Sequence, residues 1–288
     1  MSNLLDQTKL LLKKYNLSPR HLSGQNFLID ESVLDDIMQV AAVRENEAVL
    51  EIGPGLGILT ERLLAAGARV VAIENDQRLE PLLKVLAVNN ERLSLRWQDA
   101  LQLNNCELQE AFQGRFRLIA NIPYQITAKL LHSMITSPCP PTDMVLMVQK
   151  EVAERIIAPA GELSRLAISV QFYGQAEIIR LVDKSCFYPS PKVDSAIIKI
   201  TIDHHNQALL DKYRLTDKAM WGVIRAGFAG KRKKLVNNLS SSLGLDKNKV
   251  AKFLVKLGYK ETVRAQEIEV EHWISIAVGV LKSGGMGY

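Results

Sequence analysis

Between residues 48 and 148 short aliphatic runs alternate with helical segments, a rhythm that leaves few folds open. The runs 48–52, 69–73, 93–97, 116–120 and 143–148 have strand length and β-rich composition. Helical spacing occupies 59–66, 78–88 (despite Pro81), 127–135 and 150–157. Such alternation implies a parallel sheet with helices on both faces. Two longer runs, 167–182 and 195–202, joined by the proline-containing loop 187–193, are expected to pair antiparallel and close one edge. Ahead of the sheet lie a helix over 6–15, ended by Ser18-Pro19, a polar turn over 21–28, and a helix over 33–43. Beyond Asp203 only helical patterns remain, over 217–228, 231–239, 247–256 and 269–281. The expected fold class is therefore α/β. It is a Rossmann-like, mostly parallel seven-stranded sheet with an antiparallel edge, followed by a small all-α domain. The division is 1–205 and 206–288.

Composition removes other classes. Hydrophobic residues make up 47% and charged residues 23%, which is globular rather than disordered. No stretch reaches the ~18–20 uninterrupted apolar residues of a membrane span. The start, Met1-Ser2-Asn3-Leu4-Leu5-Asp6-Gln7, lacks the features of a secretion signal. A soluble, cytoplasmic protein is expected, with no membrane partner. Cys106, Cys139 and Cys186 are an odd, scattered set with no CxxC pair, read as reduced thiols rather than a disulfide framework or zinc site. His204-His205 has no carboxylate or cysteine at ligand spacing and reads as a solvated link, so no metal is expected.

The net charge of +5 is unevenly distributed. Residues 216–264 hold 12 Lys/Arg against three acids, Asp217, Asp246 and Glu261, while the remainder holds 24 basic and 28 acidic residues. A near-neutral body with a basic appendage is the electrostatic outline of a nucleic-acid binder.

The first strand runs into Glu51-Ile52-Gly53-Pro54-Gly55-Leu56-Gly57 and then a helix. A glycine-rich turn there lets backbone approach a ligand, though dinucleotide folds use one too. Three features favour S-adenosylmethionine. The spacing is G-x-G-x-G, with Ile58 where the third dinucleotide glycine would stand. Glu74 ends the second strand, 21 residues after Gly53, where a carboxylate accepts both ribose hydroxyls. Asp99 follows the third strand, beside the expected position of an adenine edge.

At the end of the fourth strand stands Asn121-Ile122-Pro123-Tyr124. An exocyclic adenine amine is a poor nucleophile, because its lone pair is delocalised into the ring. Two acceptors, the Asn121 side-chain oxygen and the Ile122 carbonyl, would favour a pyramidal nitrogen with its lone pair aimed at a sulfonium methyl. Pro123 restricts Ile122 to extended geometry. Tyr124 offers a ring for the base to stack on, worth ~1–3 kcal/mol. No metal and no covalent enzyme intermediate are required; alignment supplies the rate. Phe187, in Phe187-Tyr188-Pro189-Ser190-Pro191-Lys192-Val193, is expected opposite Tyr124 as a second wall around an extruded base.

With Gly24-Gln25-Asn26-Phe27-Leu28 and Phe228-Ala229-Gly230-Lys231-Arg232-Lys233-Lys234 added in order and spacing, the chain resembles the small-subunit ribosomal RNA adenine dimethyltransferases. That resemblance implies a class I methyltransferase fold and S-adenosylmethionine as methyl donor. It implies contacts to the donor from Gln25, Asn26, Leu28, Gly53, Gly55, Gly57, Glu74, Asp99 and Asn121. Asn121, Ile122, Pro123, Tyr124 and Phe187 would hold the target base, and Arg225, Lys231, Arg232, Lys233 and Lys234 would contact RNA. The implied reaction gives N6,N6-dimethyladenosine at two adjacent adenosines in the 3′-terminal hairpin loop of 16S rRNA. The implied partner is that RNA within pre-mature 30S subunits, with a role in subunit biogenesis, and the enzyme is expected to be a monomer. The alternatives are a 23S rRNA adenine-N6 methyltransferase, a protein-glutamine methyltransferase, which suits an Asn-Pro-Pro-Tyr turn better, and a non-catalytic rRNA-binding assembly factor.

Overall fold

The computed structural model describes residues 3–20, 25–203 and 206–283. The expected turn residues 21–24 and the His204-His205 link lie outside the described residues. By contact the chain forms two compact units. One comprises the residues up to Glu154 together with Ala176–Ile202; the other comprises Arg155–Gln175 with the residues from Asp203 on. The stretch 155–175, expected within 1–205, thus groups with the C-terminal helices.

In the first unit, α1 (Leu4–Lys14) precedes a two-residue strand, β1 (Phe27–Leu28), and α2 (Glu31–Ala41). Asp30 caps α2, accepting from the Ser32 and Val33 amides at 2.9 and 3.2 Å. The sheet then builds through β2 (Ala48–Ile52), α3 (Ile58–Ala65), β3 (Arg69–Glu74), α4 (Glu80–Val88) and β4 (Leu93–Trp97). It continues with α5 (Asn105–Phe112), β5 (Arg117–Asn121), α6 (Thr127–Ile135), β6 (Asp143–Gln149) and α7 (Lys150–Ile156). Pro81 is tolerated because it sits at the second helical position, where a missing N–H breaks no helical bond.

After α8 (Arg165–Tyr173) come β7 (Gly174–Val182), β8 (Phe187–Tyr188) and β9 (Ser195–Ile202). The seven-stranded order is β4-β3-β2-β5-β6-β9-β7. The pairs β2·β3, β3·β4, β2·β5 and β5·β6 are parallel, and β6·β9 is antiparallel. The sequence order reverses between β2 and β5, the switch point at which open α/β sheets bind ligands. Covered on both faces, β2 is buried at every residue and β6 at its five interior residues.

The second unit adds α9 (Gln207–Tyr213), α10 (Asp217–Gly227), α11 (Leu235–Leu243), α12 (Lys247–Lys256) and α13 (His272–Ser283). Asn238 ties the turn before α11 together, donating to the Gly227 and Gly230 carbonyls at 2.6 and 3.0 Å.

Three expectations are corrected. The run 167–182 is half helix: α8 starts at a Ser164 cap, 3.1 Å from the Ala167 amide, and is buried on nearly all sides. A helix apolar all round shows no 3.6-residue period, so its sequence reads as strand. The helix expected over 231–239 begins at Leu235, leaving Lys231–Lys234 in the turn before it; four cations in a first helical turn would oppose the helix dipole. Cys106 and Cys139 are not separate thiols but a disulfide, with Cα atoms 5.1 Å apart, because α5 and the segment after α6 meet across a 33-residue separation. Cys186 is free.

Candidate active site

At the carboxyl ends of β2, β3, β4 and β5 the first unit holds a cavity of about 340 Å³. This is within the size range of small-molecule sites. One wall is the glycine turn. Gly53, Gly55 and Gly57 have φ of +71°, +57° and +82°, where a side chain would be strained. Gly55 is doubly constrained, since a Cβ would stand 3.2 Å from Phe27 Cε1. Gly53 and Gly55 line the cavity, whereas Gly57 shapes the turn and opens α3.

Two carboxylates stand on neighbouring strand ends. Glu74 Oε1 accepts from the Asn75 and Asp76 amides at 2.8 Å each, and Oε2 faces the Gly55 amide at 3.4 Å. Burial pushes Glu74 above the ordinary carboxylate range, against the pull of those amides. Asp99 caps a short 3₁₀ turn through Oδ1, 2.9 Å from the Leu101 amide. Beneath them Glu51, wholly buried in β2, also lines the cavity. Thr60 Oγ1 donates to its Oε2 at 2.7 Å. Burial, opposed by Thr60 and reinforced by Glu74, raises the Glu51 carboxyl to about 8.

Across the cavity, β5 delivers the Asn121–Tyr124 turn. The Ile122 amide donates to the Met147 carbonyl at 3.2 Å, and the Pro123 carbonyl accepts from Ile126 N at 3.2 Å and Thr127 Oγ1 at 3.2 Å. Both ends of the turn are thereby fixed. Asn121 Nδ2 faces the Asn26 carbonyl at 3.5 Å, and among the described residues no protein donor occupies Asn121 Oδ1 or the Ile122 carbonyl. The Tyr124 hydroxyl shares a 2.8 Å hydrogen bond with Ser195 Oγ, and burial raises its pKa.

Gln25, Asn26 and Leu28 line the cavity as well. Their support was not foreseen. Gln25 Nε2 donates to Asp76 Oδ2 at 2.8 Å, and Arg78 grips the same carboxylate at 2.6–3.2 Å, holding it down at about 2. The sequence signal was available: an acid two residues beyond Glu74, with Arg78 two further on.

Phe187 is elsewhere. It is 2% exposed, is not among the cavity-lining residues, and packs in the core beside Leu28 and Val33. The cause is the antiparallel β1·β8 ribbon, which pairs Leu28 with Phe187 and Phe27 with Tyr188. In this structure the Phe187 ring is thus buried in the core rather than open to the cavity that Tyr124 lines. In the second unit Arg225, Lys231, Arg232, Lys233 and Lys234 are all exposed, the first on α10 and the rest in the turn before α11. Among the described residues there is no cluster of His, Cys, Asp and Glu suited to a metal, and no helix is long and apolar enough to cross a membrane.

The donor set suits S-adenosylmethionine. It offers two strand-end carboxylates, Glu74 and Asp99, a glycine turn without side chains, and walls on which acids outnumber the single base, Arg20, facing a cationic donor. With the switch-point sheet, this defines a Rossmann-like methyltransferase.

A family model described as ribosomal RNA adenine dimethylase matches residues 17–279, and the chain belongs to that family. Ribosomal RNA small subunit methyltransferase A of Dehalococcoides mccartyi (strain ATCC BAA-2266 / KCTC 15142 / 195) is 36% identical over 273 residues, covering 94% of this chain and 91% of the relative. The protein of that name from Geobacillus kaustophilus is 36% identical over 279 residues, covering 94% of each. Among solved structures, a dimethyladenosine transferase from Plasmodium falciparum superposes with a TM-score of 0.68 at 26% identity, over 90% of this chain and 98% of that one. The 23S rRNA methyltransferase ErmE gives 0.64 at 25% identity, over 88% and 99%. The chain is accordingly an S-adenosylmethionine-dependent rRNA adenine-N6,N6-dimethyltransferase.

Proposed function

We propose that the substrate is the 3′-terminal hairpin loop of 16S rRNA in pre-mature 30S subunits, dimethylated at N6 of two adjacent adenosines as a step of subunit biogenesis. One observation carries the chemistry: two acceptors with no donor among the described residues, Asn121 Oδ1 and the Ile122 carbonyl, at a turn sharing a cavity with the glycine turn, Glu74 and Asp99. The choice of RNA is supported by the relatives named small subunit methyltransferase A, 32–36% identical over 92–94% of the chain.

The bound donor supplies a methyl group already activated on a sulfonium. The chain's residues orient the acceptor. Asn121 Oδ1 and the Ile122 carbonyl accept hydrogen bonds from the two amine hydrogens and turn the nitrogen lone pair out of conjugation; as the new N–C bond forms and the methyl–sulfur bond breaks, the nitrogen releases one proton to solvent. Pro123 keeps that carbonyl aimed, and the Tyr124 ring supports the base while Ser195 holds its hydroxyl. A monomethylated amine retains one hydrogen, so one acceptor suffices for the second transfer. Glu74 would hold the ribose and Asp99 the adenine of the donor, with Gln25, Asn26, Leu28, Gly53 and Gly55 closing around it and Gly57 setting the turn. Phe187 is a positioning residue in this reading, fixing Leu28 through the ribbon. Arg225 and Lys231–Lys234 would contact the RNA backbone. The protein would work in the cytoplasm as a monomer. Its exposed large apolar residues, including Leu10, Val88, Leu181 and Val255, are dispersed over separate elements.

The test uses 30S subunits lacking the modification and methyl-labelled S-adenosylmethionine, with the product located by nuclease digestion and mass spectrometry. Two neighbouring dimethyladenosines near the 16S 3′ end are expected. Label on 23S rRNA alone would overturn the reading of the substrate. Tight binding without label would overturn the assignment of Asn121–Tyr124.

A further inference from the structure

The bond between Cys106 and Cys139 joins two segments that each lead away from the cavity at the strand ends. On one wall, Asp99 is followed by the 3₁₀ turn Ala100–Gln102 and then by α5, whose Asn104 cap accepts from the Cys106 amide at 3.1 Å. Cys106 therefore stands in the first turn of α5, seven residues after Asp99. On the opposite wall the Asn121–Tyr124 turn leads into α6, which ends at Ile135, four residues before Cys139. The ring of chain that the bond closes thus contains β5, that turn and the whole of α6. The 3₁₀ turn packs on α6, and the polar tie beside the bond is a long one, Asn105 Nδ2 donating to the Met134 carbonyl at 3.3 Å. Both cysteines are half-buried, within reach of a small oxidant or thiol. A protein working in the cytoplasm meets a pool that keeps thiols reduced, where a disulfide is transient, catalytic or redox-sensing.

We propose that Cys106 and Cys139 are a redox-modification site: as a dithiol they leave the two walls of the cavity free to part, and as a disulfide they clamp those walls and slow the exchange of spent for fresh methyl donor. The role given to the bond rests on S-adenosylmethionine as the occupant of that cavity. With hydrogen peroxide as oxidant, one cysteine sulfur attacks a peroxide oxygen, the O–O bond breaks, and a sulfenic acid and one water result. The second thiol then displaces the sulfenic oxygen as another water and the S–S bond forms. The two sulfurs give up two electrons, the peroxide takes them, and both thiol protons end in water. Binding the donor orders both walls, and a wall ordered in advance costs the ligand less. Sparing the donor the ordering of one side chain is worth roughly 2- to 12-fold in affinity. The same constraint slows opening. Each dimethylated adenosine consumes two donors, so donor exchange recurs in every cycle and its slowing lowers turnover.

The test uses the full chain, reduced with dithiothreitol and, after its removal, oxidised with stoichiometric hydrogen peroxide, the bond being mapped by peptide mass spectrometry. Cys106→Ser/Cys139→Ser is carried through the same treatments, its fold checked by melting. Cys186 is present in both proteins, so oxidation there is common to them. Calorimetry and stopped-flow mixing measure affinity for, and release of, S-adenosylmethionine and its demethylated product. The disulfide form should bind the donor roughly 2- to 12-fold more tightly than the dithiol form and release the product more slowly. On the ribosomal RNA that the chain methylates, KM for the donor and kcat should fall together, and dithiothreitol should reverse both. The double variant should match the dithiol form before and after peroxide. Equal affinity and release in the two forms, with the bond confirmed in one, would overturn the proposal. Peroxide treatment that leaves Cys106 and Cys139 unlinked would do the same, as would an equal response in the double variant, which would place the switch at Cys186. Absence of donor binding in both forms would overturn the reading of the cavity itself, and the clamp with it, a failure distinct from these.

Discussion

Glu51 is a buried acid held neutral by its surroundings, and that has a measurable consequence. Its carboxyl rises from 4.5 to about 8 because the site is wholly buried, with Thr60 donating to it and Glu74 repelling its charged form. Between those two pH values the folded chain binds a proton that the unfolded chain has released. Stability from this group is therefore fully present below pH 4.5 and is lost as pH rises, at about 1.4 kcal/mol per pH unit. The loss reaches about 3 kcal/mol at pH 7 and roughly 5 kcal/mol above pH 8, against a typical total of about 5–15. Glu51→Gln mimics the neutral acid and keeps an oxygen for Thr60, so it should abolish this dependence. Urea denaturation of the donor-free protein, wild type against variant, isolates the effect, because other titrating groups are common to both. The two should be equally stable near pH 4.5, and the variant should gain steadily to roughly 5 kcal/mol by pH 9. Parallel profiles, or a wild type gaining on the variant as pH rises, would refute the buried-acid argument.

Further outcomes are expected at the site and its supports. Tyr124→Phe should methylate nearly as the wild type, whereas Tyr124→Ala should lose ~1–3 kcal/mol of base stacking, roughly 5- to 150-fold in kcat/KM for RNA. Asn121→Ala should abolish transfer in single-turnover assays while subunit binding is retained; equal loss of both would count against its role as an amine acceptor. Asp76→Ala frees Gln25 and should raise the KM for S-adenosylmethionine roughly tenfold with kcat little changed, the equivalent of about one charge-assisted hydrogen bond. Reducing Cys106–Cys139 reopens a loop of 33-residue separation and should cost about 4 kcal/mol in denaturation, an effect absent from Cys106→Ser/Cys139→Ser.

Much of the sheet was legible because strands and their ends are local statements. The five strand runs between 48 and 148 fall within a residue or two of β2–β6; the glycine turn follows β2, Glu74 and Asn121 end β3 and β5, and Asp99 stands two residues after β4. Once parallel order is granted, residues after successive strands must share one edge, so their presence at one cavity needs no tertiary detail. The helix α8 was not legible for the opposite reason. Its environment is apolar on nearly every side, and that erases the period a reader relies on.

Phe187 marks the limit more sharply. Its neighbours Tyr188, Pro189 and Pro191 read as a rigid aromatic loop, and nothing in that string says which ring turns inward. Strand geometry decides it: in a two-stranded ribbon, adjacent residues point to opposite faces. Pairing with Leu28 sends Phe187 into the main core, while Tyr188 packs beside Phe27 in another cluster with Lys9 5.7 Å from its ring. The partner strand lies about 160 residues upstream, so the choice belongs to a long-range contact absent from the local sequence. Gln25–Asp76, Glu47–Arg117 and Cys106–Cys139 share that character, each joining residues remote in sequence. The strand-end positions at the cavity can be read one segment at a time, whereas the contacts that hold those segments in place require two segments to be known together.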